Sequence, residues 1–385
     1  MEQLSLLDLA VQIHQEHKNY RISDRDKLGD GGAKTKAQNN LRAISLLKTL
    51  TGQAKPEEQA ILAQFLGWGL AAPLFAEPLA KEWQKLGTQV REILTPKEYE
   101  AARHSIINAY YTSVPVITAI WRGLQHLGFH NGKILEPSCG SGLWLGLGPV
   151  DAEWTAIELD PISGAIAKQL YPQATIYVSP YEETALPDNY FDLAIGNVPF
   201  SEVVPNDQRY LDFGCAGLHD YFFIKSLDKV RPGGLISFIT SVGTLQSSKS
   251  LEFRQYLSEQ ANLVGAFRLP QTAFLRFTGT EVTTDVMIFQ KLSEGIEPVD
   301  NRWIGLADSG IEIDGKMLKI PQYYADHPEM VLGKLTRDKL YGSPRLAVAD
   351  DGRNLIQAIG DAFGQMPRVY EAFIEEKTTK TKRKD

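Results

Sequence analysis

Four consecutive residues, Asn197, Val198, Pro199 and Phe200, close the stretch "DLAIGNVPF" with a particular set of groups. Gly, Asn and Pro are ordinary punctuation where an apolar strand such as Leu193-Ala194-Ile195 ends. Here they also suit a reaction. The Asn197 side-chain oxygen and the Val198 carbonyl, its backbone fixed by Pro199, can each accept one N–H from an exocyclic amine on a planar ring, and Phe200 can stack on that ring. Two such acceptors draw the amine lone pair out of conjugation and aim it at an electrophile. No basic side chain is needed, and none lies in the stretch.

Two other stretches provide for a second ligand. In "LEPSCGSGLWLG", Gly140 and Gly142 allow a tight turn between a strand and a helix, so that backbone can approach a ligand closely. The spacing departs from the dinucleotide GxGxxG pattern, and Glu136 at the strand end would oppose a pyrophosphate; a cationic or zwitterionic ligand suits it better. In "AIELDP", Glu158 ends the next strand about 20 residues after the glycine turn, where a carboxylate can hold a ribose diol. A solvated strand-end acid or a helix cap is the plainer reading of Glu158 alone.

These residues need a scaffold that brings strand ends together. From Lys133 onward, short apolar runs ("KILEP", "WTAIEL", "TIYV", "FDLAIG", "LISFIT", "NLVGAFRL", "VMIFQ") alternate with helical stretches ("PISGAIAKQLY", "HDYFFIKSLDKV", "SLEFRQYLSEQ"). That alternation predicts an α/β fold, a doubly wound and mostly parallel Rossmann-like sheet with ligands outside the carboxyl ends of its strands. The expected organisation is a helical N-terminal region over 1–100, the sheet domain over 101–292, and a helical or irregular C-terminal extension over 293–385 ending in a basic tail. The stretch "RISDRDKLGDGGAKTKAQNN" reads as a polar loop, locally basic through Arg21, Arg25, Lys27, Lys34 and Lys36, either solvated or touching phosphates.

Composition narrows the function classes. The chain has 385 residues, 43% hydrophobic and 23% charged, as an ordinary globular protein does. Its net charge of −7 means that any polyanion must be met by local basic patches. Two cysteines, Cys139 and Cys215, form no CxxC pair, and the seven histidines are unclustered, so no metal site is expected. Ser138 and Ser241 lack a nucleophile elbow. The acidic N-terminus and the lack of a long apolar run predict a cytoplasmic protein without a membrane span.

Taken together, the motifs resemble the S-adenosylmethionine-dependent adenine-N6 DNA methyltransferases, whose pattern Asp/Asn-Pro-Pro-Tyr/Phe stands here as Asn197-Val198-Pro199-Phe200. "LEPSCGSG" resembles that family's cofactor loop, and "NAYYTS" the preceding segment in which an aromatic and a threonine, here Tyr111 and Thr112, hold the methionine carboxylate. "EEQAILAQFLGWG", "HDYFFIKSLDKVRPGG" and "HPEMVLG" extend the resemblance to the methylase portion of large phage and plasmid proteins that join a methylase to a helicase. It implies S-adenosyl-L-methionine as cofactor, DNA as partner and methyl transfer to adenine N6. The cofactor residues would be Tyr111, Thr112, Glu136, Ser138, Gly140, Gly142 and Glu158, with Tyr181 against the cofactor ring and Glu182 at its amino group. Asn197, Val198, Pro199 and Phe200 would be catalytic, and Phe274 and Phe277 would line the base pocket.

Val198 replaces the family's first proline but keeps the carbonyl. No Walker GxxxxGK[ST] motif is present, so a separately encoded helicase or specificity protein is the implied further partner. Related loops methylate protein glutamine or RNA adenine, and a non-catalytic module that binds DNA or docks a helicase is the reading of another class.

Overall fold

The computed structural model describes residues 18–106, 111–279, 281–340 and 343–372. The N-terminal helix expected at "LLDLAVQIHQ" and the basic tail lie outside these residues. Seven strands form the central sheet: β1 (Lys133–Glu136), β2 (Glu153–Glu158), β3 (Thr175–Val178), β4 (Phe191–Asn197), β5 (Val230–Ser241), β6 (Ala261–Leu269) and β7 (Thr284–Lys291). Their order is β3-β2-β1-β4-β5-β7-β6. β1 to β5 pair in parallel, whereas β7 runs antiparallel between β5 and β6. This is the doubly wound, mostly parallel α/β sheet that the alternation predicted.

The strand order reverses between β1 and β4, where Leu135 lies opposite Ala194. A reversal sends the flanking chain crossings to opposite faces and leaves a crevice at the carboxyl ends of the two strands. Glu136 ends β1 and Asn197 ends β4, so both strand-end residues fall at that crevice. β4 is buried over Phe191–Gly196, as a central strand covered on both faces must be.

The helical layers are continuous with the sheet. α1 (Ala33–Thr49), α2 (Pro56–Leu62), α3 (Gln84–Ile93) and α4 (Pro96–Ser105) precede α5 (Val114–His126), and α6 (Leu143–Leu147) follows the glycine turn. α7 (Pro161–Leu170), α8 (Leu218–Lys229) and α9 (Leu251–Gln260) cover the sheet, and α10 (Leu355–Gly364) packs on α5. Backbone bonds from Tyr20 to Leu170 and from Ile22 to Gly146 fasten the N-terminal region to α7 and α6. At α5 the lack of a side chain on Gly123 admits the Phe363 ring, which a Cβ would meet at 2.1 Å.

Two expectations need correction. α1 begins at Ala33, so "AKTKAQNN" is helix rather than loop. The signal overlooked is burial: Lys36 is buried with its ammonium 5.6 Å from the Phe277 ring, and Asn40 is buried, donating to the Gly67 carbonyl and accepting from the Leu66 N–H. Lys36 therefore faces an aromatic ring and not solvent. The C-terminal extension, expected to be helical or irregular, carries two antiparallel hairpins, β8 (Leu306–Ile313) with β9 (Lys316–Pro321) and β10 (Lys334–Leu340) with β11 (Ser343–Ala349). Arg337, Asp338 and Lys339 stand in succession in β10, and β8 shifts register between Asp308 and Glu312 around Gly310 (φ +74°), so neither keeps the alternation that marks a strand.

Candidate functional site

A cavity of about 460 Å³ opens at the carboxyl ends of β1, β2, β3 and β4. Tyr111, Thr112, Glu136, Ser138, Gly140, Glu158, Tyr181, Glu182, Asn197 and Pro199 all line it. Residues far apart in the chain are thus gathered around one volume of the size that takes a small organic ligand.

The turn after β1 is built by its glycines. Gly140 (φ +56°) and Gly142 (φ +86°) hold left-handed backbone, and a Cβ on either would collide, at 2.7 Å with the Tyr111 hydroxyl and at 2.3 Å with the Tyr171 ring. The Tyr111 hydroxyl accepts from the Ser141 N–H at 3.1 Å, bracing the turn from the segment before α5. Gly142 lies behind the turn and helps to shape it, while Gly140 lines the cavity. The Ser138 hydroxyl donates to the Asn197 carbonyl at 3.0 Å, which ties the glycine turn to the end of β4.

Three carboxyl groups set the electrostatics. Glu136 is fully buried, and neither of its oxygens has a hydrogen-bond partner among the described residues. Burial, with the neighbouring Glu158, pushes its pKa well above the ordinary value. Glu158 accepts the Gly140 N–H and the Asp160 N–H, one on each oxygen at 2.7 Å, which leaves each oxygen capacity for another donor. Burial and Asp160 raise its pKa to about 7 against those two hydrogen bonds. Asp160 caps α7, accepting from the Ser163 N–H and hydroxyl at 2.8 and 2.6 Å. Acids held protonated by burial and by one another disfavour a phosphate and favour a cationic ligand with donor groups, whose charge would restore the ionised carboxylates. Among the described residues, no three His, Cys, Asp or Glu side chains come together as a metal site.

On the β4 side, Val198 is buried and its N–H donates to the Ile239 carbonyl at 3.1 Å, so the sheet fixes the peptide that follows Asn197. The Asn197 amide donates to the Thr112 hydroxyl at 3.3 Å. Phe200 follows Pro199 half-buried and is not among the lining residues. The Tyr181 hydroxyl bonds to Ser226, and its ring packs against Phe222, another lining residue.

Phe274 and Phe277, expected to line the base pocket, stand away from this cavity. Phe274 is buried in the core, and Phe277 lies flat over Gly29, whose Cβ would meet its ring at 2.3 Å. Phe277 borders a different cavity of about 450 Å³ with Lys27, Asp30, Pro270 and Arg353, and neither phenylalanine reaches the cavity of Asn197. Other lining residues escaped the sequence reading. Leu159 is 69% exposed and Val203 70% exposed, and both stand at the cavity with Pro180 and Pro205. The signal for Leu159 was available: a large apolar residue between two acids at a strand end has no core to enter.

The fold is a Rossmann-like α/β fold with a cavity of about 460 Å³ at its topological switch point. No family model matches the chain. Over 211 residues it is 33% identical to the defense against restriction protein B of Escherichia phage P1, a match covering 54% of this chain and 9% of the length of that much larger protein. Among solved structures, the type I restriction-modification system methyltransferase subunit from Streptococcus thermophilus is similar at 16% identity and a TM-score of 0.42, covering 75% of this chain and 70% of that one. The M protein of the type I restriction enzyme EcoKI is similar at 16% identity and a TM-score of 0.41, covering 68% and 63%.

Proposed function

We propose that the chain is a methyltransferase that uses S-adenosylmethionine to methylate the N6 amine of adenine in DNA. The observation that carries this reading is one cavity walled both by Glu136 and Glu158, acids without a cationic partner among the described residues, and by Asn197 and Pro199 of the amine-accepting stretch. The residues fit the cofactor. Glu136 would accept its ammonium, Glu158 its ribose hydroxyls, and Leu159 offers an exposed apolar face to its adenine ring. When bound, S-adenosylmethionine supplies an electrophilic methyl group on sulfur.

The chain's own part is orientation. The Asn197 side-chain oxygen and the Val198 carbonyl accept the two N–H groups of the target amine, so the nitrogen lone pair is directed into the cavity. The sheet bond from Val198 to Ile239 and the bond from Ser138 to Asn197 hold this peptide before the base arrives, so little reorganisation is left for the reaction. After transfer the surplus amine proton leaves to water. Phe200 stacks on the base in this reading, and a base reaches the cavity only when flipped from the duplex or taken from a single strand.

The phage relative is named for defense against restriction, a role that DNA methylation would serve. DNA, and a helicase or specificity protein, are the proposed partners. Incubating the full chain with methyl-labelled cofactor and, separately, DNA, RNA and protein tests the assignment. Label recovered as N6-methyladenine from DNA is expected; label confined to RNA or to glutamine side chains would refute the DNA reading.

A further inference from the structure

Lys225 on α8 is a cation that the proposed chemistry does not use. Its side chain is only 5% exposed. The ammonium donates to the Tyr181 carbonyl at 2.7 Å, to the Glu182 carbonyl at 3.2 Å and to Asp207 Oδ2 at 3.2 Å, so its three donors have three acceptors. The rings of Tyr181, Tyr221 and Tyr210 surround it at 4.9, 5.8 and 5.9 Å. Burial alone raises the Asp207 carboxyl, but hydrogen bonds from Tyr221 and Lys225 outweigh it and hold its pKa below the ordinary value. A buried cation costs several kcal/mol unless every donor is met, so this arrangement is stiff.

The acceptors come from two different segments, each of which contributes residues to the cavity lining. Tyr181 and Glu182 follow β3 and line the side assigned to the cofactor. Asp207 lies in the segment after β4, which contributes Pro199, Val203 and Pro205 to the other side. A second link between these regions, Arg209 to Asp188, joins half-exposed side chains, where solvent screening leaves an ion pair worth little. The buried ammonium is therefore the stronger of the two links.

We propose that Lys225 is a positioning residue that couples the two walls: a ligand seated against Tyr181 and Glu182 fixes, through the Lys225 ammonium and Asp207, the 199–217 segment that receives the target base. This rests on the cofactor reading above and adds a route by which cofactor binding prepares the base site. Leu211, 47% exposed within that segment, and Val203 are the apolar side chains so presented.

The test is hydrogen exchange on the full chain with and without S-adenosylhomocysteine. In the wild type, residues 179–183 and 200–217 should both gain protection. In Lys225→Met the first segment should still gain it, while the gain over 200–217 falls about tenfold, the worth of one charge-assisted hydrogen bond. Asp207→Asn should show the same split and serves if Lys225→Met does not fold; Lys225→Arg should restore part of the coupling. A purely structural lysine would lower the unfolding midpoint yet leave the two gains in their wild-type ratio, which would overturn the proposal. Absence of protection anywhere in the wild type would instead remove the cofactor reading, and the coupling with it.

Discussion

The two halves of the sheet's carboxyl edge are built differently. Beyond β1, β2 and β3 the backbone sets the geometry: two left-handed glycines, the Glu158 carboxylate on two N–H groups, and Asp160 capping a helix. Beyond β4 the chain runs on through a long segment tied by side chains, Lys225 to Asp207 and Tyr210 to Asp228, with Val203 and Leu211 left exposed. A small ligand with fixed donors calls for the first kind of wall. A large ligand that must deliver one ring calls for the second, which keeps apolar surface available and can adjust. Phe274 and Phe277, after β6, belong to neither wall: the first is buried in the core and the second borders the other cavity.

The largest expected effect falls on folding. Phe277→Ala should cost about 3–5 kcal/mol of stability, the range for a buried phenylalanine, and leave cofactor affinity of the folded fraction unchanged. A base-pocket role would instead leave stability nearly intact and raise the KM for DNA. Next, Asn197→Ala should lower methyl transfer roughly 10²- to 10³-fold, as the loss of one preorganised hydrogen bond to a reacting group does, while the cofactor dissociation constant moves less than about threefold. If both constants move together, the two walls are not separable.

The acids sharpen the comparison through pH. The Glu158 pKa of about 7 lies above its unfolded value, so the carboxyl favours the ligand-free fold below the unfolded value and loses that contribution as pH rises through about 7. Ligand affinity runs the other way, since the ionised form is the better acceptor for hydroxyls. Lowering the pH from 8 to 6 should weaken cofactor binding by up to about tenfold, and Glu158→Gln should flatten both profiles. The smallest effect is expected for Leu159→Ala, about fivefold in cofactor affinity with the melting midpoint unmoved, because the side chain is already exposed in the free protein.

Much of this was legible before any coordinates. Continuous apolar strands alternating with helices specify a parallel sheet, and the strand-end residues Glu136, Glu158 and Asn197 are then forced to one edge. The antiparallel hairpins of the C-terminal extension were not legible, since three successive charged residues in β10 and a register shift in β8 break the period of two. Phe274 and Phe277 could not be placed from the sequence, because aromatic residues suit core and ligand alike; burial puts Phe274 in the core, and Phe277 packs against Gly29 and Lys36. Lys225 could not be read at all, because its acceptors, two backbone carbonyls and the Asp207 carboxylate, are brought by two other segments.

The central claim is that an unpartnered buried acid awaits a cationic ligand at the switch point, and titration of S-adenosylhomocysteine into the wild type and Glu136→Leu tests it most directly. Removing a buried carboxyl in favour of an apolar group should not lower the melting midpoint. One equivalent of ligand should bind the wild type, and the variant should bind about 10- to 100-fold more weakly, the worth of a hydrogen bond to a charged group. Equal affinity in both proteins, or no binding to the wild type, would contradict the account.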